Sequence, residues 1–299
     1  METLPNQVLT HPAPIALSGL SEIADRYDAI LCDVWGVIHN GRHHFPEACE
    51  ALIRFQETRG PVLLISNSPR PSADLQAQMR ALSVPDTAWS ATVSSGDATR
   101  FELLARAPGK AWVIGDARES SLYADSGLDL SGTPEDADFI SCTSPYNDES
   151  DVPEDYRTRF EVAIARNLTM ICANPDRIVQ RGDRLILCAG ALADLYAAMG
   201  GQVIMAGKPF APIYEQSLAR LEALKGAPIA RSRILAIGDG LPTDILGAND
   251  QDLDVLLITS GIHAEEATGP DGRMDTDRVQ AMLHNAKASA TYAALALTW

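Results

Sequence analysis

Apolar residues in this chain gather in short unbroken runs instead of alternating with polar ones. Ala29–Cys32, Val62–Ile65, Val203–Met205, Ile234–Ile237 and Val255–Ile258 are such runs. A strand with one face in water alternates. A run that does not alternate is buried on both faces, as in parallel sheets covered by helices. Segments with helical spacing separate the runs: 47–58 after the first, 73–82 after the second, 212–224 after the third and 243–249 after the fourth. This regular alternation predicts an α/β fold built on a doubly wound parallel sheet.

The middle third breaks the rhythm. It has a fresh strand at Ala111–Ile114, an acidic stretch dotted with Gly and Pro from 125 to 155, and an apolar strand at Leu168–Ala173. We therefore expect a second α/β module, residues 107–184, inserted between the second and third core strands. Residues 1–106 and 185–299 would form the core.

Chemistry is expected where those strands end. The first runs into Asp33, the second into Ser66, the third into Ala-Gly-Lys208 and the fourth into Gly-Asp239. Ligands of open parallel sheets bind beyond the carboxyl ends of the strands, so these four side chains should converge on one cleft. Asp33 can attack phosphorus while backbone N–H groups of the following turn, Gly36 among them, hold phosphate oxygens. Ser66-Asn67-Ser68 supplies hydroxyl and amide donors, and Lys208 supplies positive charge to the phosphate or the nucleophile. Asp239 and Asp244, five positions apart across a turn, suit a hard cation that keeps several waters. Taken singly, each of these is also what an ordinary turn, helix cap or surface lysine looks like. Their order and placement carry the signal.

Composition narrows the partners. Forty acidic against 24 basic residues give a formal charge of −16 over 299 residues. Such a surface repels nucleic acid, although a divalent ion can reverse the field locally for a small anionic substrate. Five cysteines without a CxxC pair, three of them in apolar runs, are expected to be reduced core thiols. No apolar run approaches the roughly 18 residues of a membrane span. Residues 1–17 lack a basic patch followed by an apolar core. A cytoplasmic protein with no membrane partner is the expectation.

The order Asp33, Ser66-Asn67, Gly207-Lys208-Pro209 and Gly238-Asp239-x-x-x-Thr243-Asp244 resembles the haloacid dehalogenase (HAD) superfamily, in particular its class IIA of NagD-like phosphatases. The resemblance covers nearly the whole chain and takes in Val93–Arg100, Trp112–Gly115, Ala173-Asn-Pro-Asp176 and Ala189-Gly-Ala-Leu192. It implies a Rossmann-like core with a C2-type cap, the inserted module, that closes over substrate and selects the leaving group. It implies Mg²⁺ held by Asp33, the Trp35 carbonyl, Asp239 and, through water, Asp244. Asp33 would become an aspartyl-phosphate, Ser66 and Asn67 would cradle the phosphoryl oxygens, and Lys208 would offset charge in the transition state. The implied substrate is a small phosphorylated metabolite, and the resemblance is compatible with a homodimer formed through the cap.

One residue departs from the pattern. These phosphatases carry Asp-x-Asp-Gly, whose second Asp protonates the leaving oxygen and then activates water; here that position is Trp35. The carbonyl survives the exchange, but an indole cannot trade a proton near neutral pH. General acid–base help is worth about 10²–10⁴-fold. Three accommodations are open: a replacement base from His39, His43 or His44; a catalytically weak binding or sensor protein; or a reaction that needs no acid, as in dehalogenase and phosphonatase relatives. Arg70 could reach an anionic substrate, and Tyr146, Asn147 and Asp148 could line its entrance. Trp89, Trp112 and Trp299 read as packing residues.

Overall fold

The computed structural model describes residues 12–299; residues 1–11, within the stretch read for a leader pattern, lie outside the described residues. The first half of the core runs β1 (Ile15–Ala16), β2 (Ala29–Cys32), α1 (Pro46–Thr58), β3 (Val62–Ser66), α2 (Ser72–Ala81), β4 (Ala91–Ser94) and α3 (Ser95–Leu104). The insertion follows with β5 (Ala111–Ile114), β6 (Phe139–Cys142), α4 (Arg157–Ala165), β7 (Thr169–Cys172), β8 (Ile178–Arg181), β9 (Arg184–Leu187), α5 (Ala189–Ala198) and β10 (Gln202–Met205). The core then resumes with α6 (Ala211–Lys225), β11 (Ile234–Gly238), α7 (Leu246–Asp250), β12 (Asp254–Ile258), α8 (Ala264–Ala267), α9 (Thr276–Ala286) and β13 (Tyr292–Ala294).

The core sheet is parallel throughout, in the order β1-β13-β12-β11-β2-β3-β4. Successive side chains of a strand point to opposite faces, and both faces here are apolar. Ile30, Cys32, Val62 and Leu64 pack with Leu52, Phe55 and Leu75 of α1 and α2. Ala29, Leu31, Leu63 and Ile65 pack with Ile213, Leu221 and Val279 of α6 and α9. This is why the runs do not alternate. All five cysteines are free and buried, and Trp89, Trp112 and Trp299 pack against apolar clusters.

The insertion forms a parallel sheet ordered β10-β7-β6-β5, with β8 and β9 paired apart from it as an antiparallel hairpin. One strand corrects the sequence reading. Val203–Met205, expected as the third core strand, pairs with β7 at the edge of the cap sheet. It is an edge strand, half-buried along Val203–Met205 and exposed at Gln202. A short apolar run does not declare which sheet it joins. The cap strands therefore extend from β5 through β10, and the expected boundary at 184 falls on the first residue of β9.

Candidate active site

Along the core sheet the chain proceeds from β2 to β3 and β4 on one side, and later from β11 to β12 and β13 on the other. The two directions part between β2 and β11, which are paired neighbours. A crevice opens at such a switch point, beyond the carboxyl ends of the strands. Asp33 and Asp239 follow the two flanking strands directly, and the Asp33 amide is tied to the Ile237 carbonyl at 2.8 Å.

Three buried carboxylates meet there. Ligand oxygens of Asp33, Asp239 and Asp244 all lie within 4.8 Å of one another. Lys208, only 2% exposed, donates to Asp33 Oδ1 at 2.5 Å, to Asp244 Oδ1 at 2.6 Å and to the Ile65 carbonyl at 3.3 Å. Asp244 Oδ2 accepts the Gly240 amide at 3.0 Å, which fixes the loop carrying both aspartates. The turn after Asp33 presses on the same cluster. Gly36 has φ +88°, and a Cβ there would sit 2.1 Å from Asp239 Oδ2. Only glycine combines that backbone with that approach. Gly261 backs Asp239 in the same way, at 2.4 Å.

The charges do not balance within the protein. Three carboxylates face one lysine, and among the described residues Asp239 accepts no hydrogen bond. Burial, then the charges of Asp33 and Asp244, push the Asp239 carboxyl well above its ordinary range. Burial and Asp244 likewise push Asp33 up, against the pull of Lys208. For Lys208 burial disfavours the charge, but Asp244 and Asp33 outweigh it and keep the amine protonated. Oxygen donors in excess of their counter-charge are what a hard divalent cation binds, and a cation there would reverse these shifts. The donor set fits Mg²⁺.

Asn67 holds the return crossing from the cap. Its Oδ1 accepts the Lys208 amide at 2.7 Å, while its Nδ2 donates to the Lys208 carbonyl at 3.1 Å and to Asp176 Oδ1 at 2.9 Å. Both amide hydrogens are thus engaged, in contrast to the expectation that they face a phosphate. Ser66 Oγ accepts the Ser68 amide at 3.2 Å and retains its own hydrogen to donate. Both residues line a cavity of about 630 Å³ together with Asp33, Trp35, Lys208 and Asp239.

Trp35 points its ring nitrogen away from proton chemistry: Nε1 donates to the carbonyl of Gln180 on the cap hairpin. Of the three histidines, His39 alone lines the cavity. Its Nδ1 accepts the Gly41 amide at 3.0 Å, so the proton of the neutral ring sits on Nε2, which has no partner. Burial lowers its pKa to about 4, leaving a neutral ring that donates hydrogen bonds but releases no proton. His44 Nδ1 is bonded to the Leu82 carbonyl, and His43 is exposed. Arg70 reaches the cavity, its guanidinium bonded to Gln78 at 3.3 Å. Asp148 lines it too, whereas the Tyr146 hydroxyl is spent between Trp112 Nε1 and the Val113 carbonyl, and Asn147 is absent from the wall.

Sequence reasoning missed the cap-side wall: Arg118, Glu119 and hairpin residues Ile178–Arg181. The hairpin had left a signal. Gly182-Asp183 is a two-residue turn with glycine first at φ +63°, a form suited to the twist of paired strands.

Family comparison agrees with this geometry. Residues 30–129 match the haloacid dehalogenase-like hydrolase model, and residues 205–285 match a HAD-hydrolase-like model. A haloacid dehalogenase-like hydrolase from Brucella suis 1330, solved by crystallography, is 44% identical; the match covers 94% of this chain and 99% of that one, with a TM-score of 0.81. The 5′-nucleotidase YutF of Bacillus subtilis is 25% identical over 86% of this chain and 96% of its own length. The ribonucleotide monophosphatase NagD of Escherichia coli K12 is 25% identical over 78% and 88%. The chain belongs to the haloacid dehalogenase-like hydrolases, within their NagD-like phosphatases.

Proposed function

We propose that this phosphoric monoester hydrolase transfers the phosphoryl group of a small phosphorylated metabolite to Asp33 and releases it to water, as a Mg²⁺-dependent, cytoplasmic enzyme. The carrying observation is the meeting of three buried carboxylates and one buried lysine beyond the switch point of the sheet. Asp33, the Trp35 carbonyl, Asp239 and Asp244 would hold Mg²⁺. Bound there, the ion would offset the negative charge of the phosphoryl oxygens.

Asp33 attacks phosphorus, the ester P–O bond breaks, and the alcohol oxygen leaves with the bond pair. Water then attacks the aspartyl-phosphate, freeing inorganic phosphate and restoring the carboxylate. Lys208 stays bonded to the nucleophile and holds it in line, and the Ser66 hydroxyl and the Gly36 turn face the transferred group. The departing oxygen takes its proton from solvent, since Trp35 has none to give. Esters of acidic alcohols are therefore the faster substrates. The phosphatase relatives do not favour the sensor alternative.

Phosphate release from p-nitrophenyl phosphate, nucleoside monophosphates, pyridoxal phosphate and sugar phosphates, with Mg²⁺ or with a chelator, tests the reading. Release is expected with Mg²⁺ only, and fastest from the nitrophenyl ester. Equal release in the chelator would end the metal proposal. Trp35→Asp supplies a carboxyl where the family has one. It should raise turnover of unactivated esters on the order of 10²-fold relative to p-nitrophenyl phosphate. Parallel changes for both ester types would refute the role assigned to the missing acid.

A further inference from the structure

We infer that the Trp35 side chain is a positioning residue, which fixes the cap hairpin β8–β9 across the leaving-group end of the cleft and so governs which phosphate esters enter. The hairpin belongs to neither large sheet. A two-stranded hairpin alone is marginal in water, so its placement depends on side contacts. Among the described residues, three such contacts come from the core side. Trp35 Nε1–H donates to the Gln180 carbonyl. The Gly182 amide donates to the Asn40 carbonyl at 3.2 Å. Arg42 lies over Gly182 so closely that a Cβ there would meet its side chain at 2.7 Å.

The anchor is itself braced. A Cβ on Gly41 would fall 2.5 Å from the six-membered ring of Trp35, and His39 packs edge-on against the indole with centroids 5.1 Å apart. On the cap side, Arg181 is paired with Asp148 at 2.7 Å, and Arg118 reaches the same carboxylate at 3.4 Å. Between these two attachments, Ile178, Val179, Gln180 and Arg181 line the cavity that also holds Asp33. An aspartate at position 35 has no ring N–H to offer Gln180. The exchange of acid for indole thus gives up proton transfer and gains a tie between the nucleophile loop and the cap. Large leaving groups must displace that tie, whereas small ones need not. The selectivity half of this inference rests on the phosphatase reading; the anchoring half does not.

Trp35→Phe keeps an aromatic ring and removes the donor. Hydrogen exchange followed by mass spectrometry should show hairpin amides 178–187 exchanging roughly 3- to 10-fold faster, the scale of one net hydrogen bond, with β5–β7 unchanged. The ratio of kcat/KM for a nucleoside monophosphate over glycerol phosphate should rise by a similar factor. Trp35→Leu, which removes the same donor by a different substitution, should do the same and guards against one variant folding poorly. Unchanged hairpin exchange in both variants, equal acceleration in the cap sheet, or an unmoved selectivity ratio each overturns the proposal. If the wild-type chain releases no phosphate, the phosphatase reading falls, and the exchange result still decides whether Trp35 anchors the hairpin.

Discussion

Asp33→Asn is expected to lose phosphate release by a factor on the order of 10⁴–10⁶, the scale on which deletion of an activated nucleophile acts. The amide has the same shape but cannot form an acyl-phosphate bond by attack. The fold should survive, with an instructive sign. In metal-free protein, burial and Asp244 hold the Asp33 carboxyl up at about 8, against an ordinary 3.8. The folded state then binds the extra proton, so stability is lost as pH rises from the lower value through the higher one. Asparagine does not ionise and escapes that loss. Metal-free Asp33→Asn should therefore melt above metal-free wild type at pH 7, by about 2–4 °C for each kcal/mol relieved. Calorimetry with and without Mg²⁺ measures this. A variant that melts lower, or retains turnover, contradicts the assignment of Asp33.

Lys208→Met is expected to have the opposite effect on stability together with a large loss of rate. Lys208 is the shared partner of two buried carboxylates, at 2.5 and 2.6 Å. Removing one member of a buried charge cluster leaves the others uncompensated, at a cost of about 3–5 kcal/mol. The rate should fall about 10²–10³-fold, as when a preorganised donor to a charged transition state is deleted. In a cycle with Asp33→Asn the two stability changes should not add, because the two side chains are in direct contact. Additive melting shifts would mean that the lysine does not balance Asp33.

Much of the core was readable because burial on both faces leaves a direct trace in the strands. Ala29–Cys32 and Ile234–Ile237 are unbroken; Asp33 directly after the first, and Asp239 one glycine beyond the second, are the residues that the crevice uses. Val203–Met205 misled because a cap edge strand and a core strand have the same apolar run. Lys208 still arrives at the crevice, since the loop from that edge strand back to α6 crosses beside β3. Asn67 illustrates the converse difficulty. Its residue type fits a phosphate cradle, yet its partners, Lys208 and Asp176, lie 141 and 109 positions away and no local pattern announces them. The role of Trp35 was similarly hidden, because its partner Gln180 is 145 positions distant.

Asn67 grips both main-chain groups of Lys208 and, among the described residues, is hydrogen-bonded to the cap through Asp176. A movement of the cap away from the core would break the Asp176 bond and leave the two to Lys208 in place. The amine would accordingly stay seated beside the nucleophile, and its positive charge would not have to be reloaded with each such movement.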